Sequence, residues 1–347
     1  MPQPFFSIGI TTYDRHDLLK EALDSILAQG FADFEVIVGN DYQAEELTGE
    51  MLGISDPRVR FVNYPRNLQE VGNMNALLEA ANGRYFTWLF DDDLYEPGFF
   101  QAAHDSLHET GYAQALFPSY RVVNATEVLL SKEIIRGKVQ MLTGRQYLRE
   151  YFAGHLKIIS TCGFFATDVL RSTIGGMERL APSVIGLNSE YHFLVKCALF
   201  ERIAFMDAPF VIFRAHEASW TVANTELNTY LEAGPELVRR CAEVFRHPTL
   251  SDDLEFNLRG ICKLHVVYPF ALKAAAFEFV KNGFGLYSAY RTLTRLKEEV
   301  SNIRKLYITE SGDDGYYSKL FFLVTHIKAV YIALHALELA WARKLKD

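Results

Sequence analysis

An α/β fold built on a mostly parallel sheet, with a helical region after it, is the architecture that the sequence predicts. Three observations predict it. Short apolar, β-branched stretches alternate with helical periodicity through the first 110 residues. Polar residues stand immediately after those stretches, as they do where parallel strands end beside a ligand crevice. From about Glu226 the pattern turns almost wholly helical.

Residues 5–11 are apolar and bounded by polar side chains, a buried first strand. Residues 17–29 place Leu18, Leu19, Ala22, Ile26 and Leu27 at helical spacing. Residues 34–39 (FEVIVG) and 59–64 read as strands two and three. A helix over residues 74–81 is closed by Asn82-Gly83, a stop signal. Residues 85–90 (YFTWLF) form a fourth strand that runs straight into Asp91, Asp92 and Asp93. Thr11-Thr12-Tyr13, Asn40-Asp41 and the three aspartates should then converge on one crevice. Between residues 112 and 221 the pattern is mixed, with short strands at 115–117 and 210–213 and a helix at 191–200.

Bulk properties narrow the function. At 347 residues, 49% hydrophobic and 22% charged, the chain is long enough for a large α/β core plus an appendage, with the balance of a folded protein. A formal charge of −8 argues against a general nucleic-acid partner. Cys162, Cys197, Cys241 and Cys262 are scattered with no CxxC pair, which fits a reducing cytosol and neither a zinc site nor a disulfide framework. The opening MPQPFFSIGITTYD lacks a basic region and reads as a strand rather than a signal peptide. No transmembrane helix is expected, because Lys328 and two histidines interrupt residues 320–337.

The aspartate run carries the chemistry. Three adjacent carboxylates at a strand end repel one another, and a cation that takes hard oxygen ligands relieves the repulsion. Mg²⁺ and Mn²⁺ both accept one or two carboxylates plus substrate phosphates. The plainer alternative is a helix N-cap, since Glu96-Pro97 opens a helix just downstream.

In its neighbouring motifs the chain resembles the family 2 glycosyltransferases over about residues 5–220. The family's T-x-Y-N-R is matched by Thr11-Thr12-Tyr13-Asp14-Arg15, its S-x-L-x-Q by Ser25 to Gln29, and its E-x-x-V-x-D-D by Glu35 to Asp41. Asn67, Gly72 and Asn75, then Asn82-Gly83, the three aspartates and Pro97, follow in the family's order. The resemblance implies the glycosyltransferase A-type fold, with a mostly parallel Rossmann-like central sheet and a nucleotide-sugar donor, UDP-linked in the commonest case. It places Thr11, Tyr13 and Asp41 on the base, Asn75 among the donor-binding residues and Asp91 facing the ribose. Asp92 becomes the ligand of Mn²⁺ or Mg²⁺, with Asp93 assisting. Ordinary turn chemistry after a strand is the other reading of Thr11 and Asp41. Asn40 stands where the family has a first acid and Tyr42 where it has a small residue.

An inverting transfer needs a carboxylate that deprotonates the acceptor hydroxyl. The family's base follows a G-G segment at a helix start. After Gly175-Gly176-Met177 this chain shows Asn188-Ser189-Glu190-Tyr191, so the resemblance places the base at Glu190, a glutamate for the usual aspartate. A glutamate favoured by the helix dipole is the alternative. Phe213-Arg214-Ala215-His216-Glu217-Ala218-Ser219 resembles the closing R-x-H-x-x-S segment, which makes His216 a metal or diphosphate ligand; a structural hydrogen bond is the alternative.

The resulting division is a nucleotide-sugar-binding half at 1–110, an acceptor-binding and catalytic half at 111–225, and a helical region at 226–347. The acceptor expected is a saccharide or lipid-linked saccharide, in polysaccharide or glycoconjugate biosynthesis. The apolar C-terminal helices, flanked by basic residues such as Arg291, Arg295 and Lys297, suit packing on the core, a second subunit or the inner face of a membrane. Two rivals are a sugar nucleotidyltransferase, whose Gly-rich opening residues 8–15 lack, and an inactive binding module. An oxidoreductase is disfavoured because no GxGxxG follows a predicted strand.

Overall fold

The computed structural model describes residues 3–124, 130–131, 135, 137–159, 162–215 and 227–344. Its contacts divide the chain into two units. The first comprises Met1–Glu178, Val184–Gly186 and Phe193–Ser219; the second comprises Arg179–Ser183, Leu187–His192 and Trp220–Asp347.

The first unit is a nine-stranded, mainly parallel sheet. Its first half holds β1 (Phe6–Thr12), α1 (His16–Leu27), β2 (Phe34–Asn40), β3 (Val59–Asn63), α2 (Gln69–Ala80) and β4 (Tyr85–Phe90). The second half holds β5 (Leu94–Tyr95), α3 (Phe99–Glu109), β6 (Ala115–Asn124), β7 (Val139–Leu142), α4 (Gly144–Ala153), β8 (Phe164–Ala166), the short α5 (Thr167–Val169) and β9 (Ile203–Ala215). Strand order is β3-β2-β1-β4-β8-β6-β9-β5, with β7 on β9. β1 to β4 pair in parallel, and so do β6 and β9, whereas β8 runs antiparallel to both β4 and β6.

The buried positions explain the elements. β1, β2 and β4 are buried almost throughout, as parallel strands covered on both faces must be. Helix α1 turns Leu19, Ala22, Leu23 and Ile26 onto the sheet. An aromatic cluster fills the core: Phe6 lies 4.2 Å from Phe164 and Phe99 stacks on Phe210 at 5.1 Å. Helix α4 begins with a capping box between Thr143 and Gln146 and ends at left-handed Gly154.

Several family-motif residues are fasteners rather than site residues. Gln29 donates to the Glu96 carbonyl at 3.0 Å and accepts from the Phe100 N–H at 3.3 Å, tying α1 to α3. Ser25 accepts the Tyr95 N–H at 3.2 Å. Glu35 takes the Ser7 hydroxyl at 2.5 Å and the Asn82 N–H at 2.6 Å. A side chain at Gly83 would come within 2.5 Å of the Ser7 backbone nitrogen, which is why the turn needs glycine there.

The structure corrects some lengths. The strands expected at 115–117 and 210–213 are the ten-residue β6 and the thirteen-residue β9, whose pairing continues past Pro118 through a register irregularity. Helix α2 starts at Gln69, five residues before the expected Met74. The helix expected at 191–200 is α6 (Ser189–Lys196), tightening to a 3₁₀ turn at Cys197–Leu199.

The second unit is a bundle of α7 (Leu227–Phe245), α8 (Leu254–Ile261), α9 (Tyr268–Asn282), α10 (Leu286–Ser311) and α11 (Tyr316–Lys344). Residues Cys262–Val267 join α8 to α9 as a π-helical stretch. The expectation of no transmembrane helix bears on helix α11. By length and composition alone Tyr316–Ala342 qualifies, with mean hydropathy 1.7, because Lys319, Lys328, Glu338 and two histidines dilute it too little. All four cysteines are buried thiols.

Candidate functional site

β1 and β4 are parallel neighbours with Thr11 opposite Phe90, so Thr12 and Asp91 emerge together at the strand ends. The Thr12 hydroxyl donates to Asp91 Oδ2 at 2.7 Å. Arg15, in the turn entering α1, places Nη1 3.3 Å from Asp91 Oδ1 and 3.1 Å from Asp92 Oδ2. One guanidinium thus bridges two carboxylates. Burial, and then the Asp92 charge, push the Asp91 carboxyl up to about 6, against the opposing pull of Arg15 and Thr12.

Asp93 is engaged differently. Its Oδ1 accepts the Arg214 backbone N–H at 3.1 Å, while the Arg214 guanidinium donates to the Asp92 carbonyl and to Glu21. The strand-end loop is thereby tied to β9, and a fully buried arginine finds its counter-charge.

Asp41, at the end of β2, is also buried. Its carboxylate accepts the Leu68 N–H at 2.7 Å, with Gln69 N–H as a second donor at the start of α2. Burial raises its pKa and these two donors oppose the rise. The same carboxylate, after burial itself, helps push the Tyr64 hydroxyl up to about 12. Gln69 has φ 62, a left-handed conformation uncommon for this residue type. Thr11 is half-buried, and Tyr13 is 42% exposed and meets Tyr42 edge-on at 5.1 Å. Two aromatic faces next to a carboxylate can stack a planar base and hydrogen-bond its edge.

Asn75 is committed locally. Its amide donates to the Met177 carbonyl at 2.9 Å and accepts the Met177 N–H at 2.8 Å. A Cβ on Gly176 would come within 2.1 Å of Asn75 Oδ1, and Gly175 has φ 75, so the pairing explains both glycines. Lys196 holds the same segment through the Gly176 carbonyl at 2.9 Å and Glu178 at 2.8 Å.

Glu190 is half-buried in the first turn of α6, among the residues 187–192 that group with the helical unit. His216 lies outside the described residues. Among the described residues no three His, Cys, Asp or Glu side chains form a metal-holding group. Asp91 and Asp92 do point one oxygen each at a common cation, the Arg15 guanidinium. That donor set fits Mn²⁺ or Mg²⁺ completed by phosphate oxygens, not an all-protein cage.

Three residues near the carboxylates lie outside the sequence-derived site. Thr12 and Arg15 sit inside the motif itself; the register of β1 against β4 selects Thr12, and the turn entering α1 brings Arg15 to the carboxylates. Glu70 has no sequence signal: half-buried, it accepts the Gly186 N–H at 2.9 Å, and burial and the Asp92 charge raise its pKa. A separate cavity of about 360 Å³, lined by Gly49, Ile54, Asp56 and Phe61 among others, shares none of these residues.

The profile described as "Glycosyl transferase family 2" matches residues 7–171. That match spans a little under half of the chain. Among curated relatives, an uncharacterized glycosyltransferase of Rickettsia prowazekii is 34% identical over 94 residues, spanning 27% of this chain and 29% of that protein. The succinoglycan biosynthesis protein ExoO of Rhizobium meliloti is 34% identical over 94 residues, 27% of each chain. A GalNAc(5)-diNAcBac-PP-undecaprenol beta-1,3-glucosyltransferase of Campylobacter jejuni is 33% identical over 93 residues, 26% of this chain and 30% of that one. The matched stretch is thus under a third of these relatives' lengths. The crystal structure of S. aureus TarS 1–349 superposes with a TM-score of 0.57 at 17% identity, covering 96% of this chain and 90% of that one, which shows the shared fold.

Proposed function

We propose that this family 2 chain is a metal-dependent inverting glycosyltransferase that moves a sugar from a UDP-linked donor to a hydroxyl of a saccharide or lipid-linked saccharide. The observation that carries the reading is the convergence of Asp91 and Asp92 on one cationic point at the ends of two parallel strands. The relatives named for succinoglycan biosynthesis and for a polyprenyl-linked acceptor support a place in polysaccharide or glycoconjugate assembly. That reading implies work on the cytoplasmic side of a membrane.

In this mechanism Thr11, Tyr13 and Asp41 receive the base, with Tyr42 edge-on to Tyr13, and Asn75 keeps the Gly175-Gly176 segment in place. Asp91 and Asp92, with Asp93 behind them and His216 where the family motif puts it, would hold Mn²⁺ or Mg²⁺. The ion supplies charge stabilisation for the departing diphosphate. Arg15 lies close enough to the same carboxylates to turn to a phosphate oxygen once a cation replaces it. Glu190 takes the acceptor proton as the sugar–phosphate bond breaks, and attack from the face opposite the diphosphate inverts the anomeric carbon. The test is a panel of nucleotide sugars assayed for release of nucleoside diphosphate with and without Mn²⁺. Release confined to one donor, dependent on metal, is expected. No release from any donor, with nucleotide binding intact, would instead mark an inactive binding module.

A further inference from the structure

Helix α11 carries two faces with opposite character. Ser318, Phe322, Thr325, Ala329, Ala333 and Leu337 are buried within the helical unit, where α11 packs on α9 and α10. At about 100° per residue, the positions diametrically opposite are Tyr317, Leu320, Val324, Ile327, Tyr331, Leu334, Glu338 and Trp341. Every one of them is exposed. Ile327 and Tyr331, at the centre, are 60% and 68% exposed. Their spacing alternates three and four without a slip, the 3.5-residue repeat of a coiled-coil seam. A stripe of this size is uncommon on a soluble monomer.

We propose that this seam docks against the same seam of a second copy of the chain, antiparallel, about a two-fold axis near Ala329. The charges select the partner and the direction. Glu338 is the one acid in the seam, and its side chain is 74% exposed, 3.5 Å from His335. In a parallel pair it would face its own copy. In an antiparallel pair Glu338 falls opposite Leu320 and beside Lys319, whose side chain is 57% exposed and lies 3.8 Å from Asp314. The same register sets Tyr317 against Trp341, Val324 against Leu334 and Ile327 against Tyr331. The contact is self-complementary, as a two-fold interface must be, and each charge pair occurs twice.

Sedimentation velocity on the full chain at micromolar concentration tests the interface, with circular dichroism as the folding control. The wild type is expected to be a dimer and Ile327→Glu a monomer of unchanged helicity, since position 327 points away from the bundle. Glu338→Lys and Lys319→Glu should each raise the dimer dissociation constant by at least about tenfold, because like charges then meet twice. The double variant should recover the dimer. A monomeric wild type overturns the proposal, as does a double variant no better than the singles. Flotation with vesicles of anionic phospholipid supplies the other arm: a monomer that binds them and loses binding with Ile327→Glu would make the seam a membrane surface instead.

Discussion

The sheet unit and the helical unit differ in what they bring to the surface, although each buries charge against partners. In the sheet unit charged side chains go inward and meet partners: Glu96 is fully buried against Arg121 at 2.8 Å, Arg214 reaches Glu21, and Arg15 bridges Asp91 and Asp92. In the helical unit Glu278 is buried against Arg295 at 2.7 Å, Glu299 is buried with Oε1 lacking a hydrogen-bond partner, and Ile327, Tyr331 and Leu323 face outward. The first unit therefore presents a cluster of opposed charges at its strand ends, suited to a small charged ligand. The second presents an apolar face, suited to another macromolecular surface.

The largest expected effect lies on the catalytic side of that contrast. Glu190→Gln keeps size and most hydrogen bonding but cannot take a proton, so turnover should fall by about 10²–10⁴-fold with donor binding nearly intact. Steady-state kinetics beside calorimetric donor affinity check this. Near-normal turnover would move the base elsewhere. NMR of the product should show inverted anomeric configuration.

The next effect belongs to the helical unit. Burial pushes the Glu299 carboxyl up to about 7 from an ordinary 4.5. The folded unit then keeps a proton that the unfolded chain releases, so its stability is complete below about 4.5 and is lost as pH rises through about 7. The difference amounts to about 3 kcal/mol at full ionisation. Glu299→Gln should flatten this slope and raise the unfolding temperature at pH 8 relative to pH 5. Parallel pH profiles for wild type and variant would show that Glu299 is satisfied in solution.

A smaller effect is expected at the base pocket. Asp41→Ala should weaken nucleotide affinity by ~1–3 kcal/mol, the span of a charge-assisted hydrogen bond, and blur discrimination among bases. Calorimetry with UDP, GDP and ADP checks both. Because Asp41 also fastens Leu68 and Gln69, Asp41→Asn separates the roles: an amide oxygen still accepts an N–H but carries no charge.

Much of the sheet unit was legible in the sequence because its signals are local. Parallel buried strands read as continuous apolar runs, and the strand ends marked Asp41 and Asp91 directly. Parity was harder. Thr11 and Thr12 are equivalent in a motif, yet successive strand residues face opposite sides, and only the register of β1 on β4 turns Thr12 onto Asp91. Asn75 shows the other limit, since its partner Met177 lies 102 residues away and no local pattern announces the pair. Long-range closure also hid β5 and β8, two and three residues long, whose apolar runs are too short to stand out. The helical unit was legible in type, while the split of α11 into a buried and an exposed face emerges only from its packing.

The proposed function requires that Asp91 and Asp92 form the cation and diphosphate site. Isothermal titration of UDP into wild type and Asp92→Ala, each with and without Mn²⁺, tests it most directly. Wild type should bind far more tightly with the metal, and Asp92→Ala should lose that metal-dependent gain. Undiminished, metal-enhanced binding by Asp92→Ala would contradict the claim.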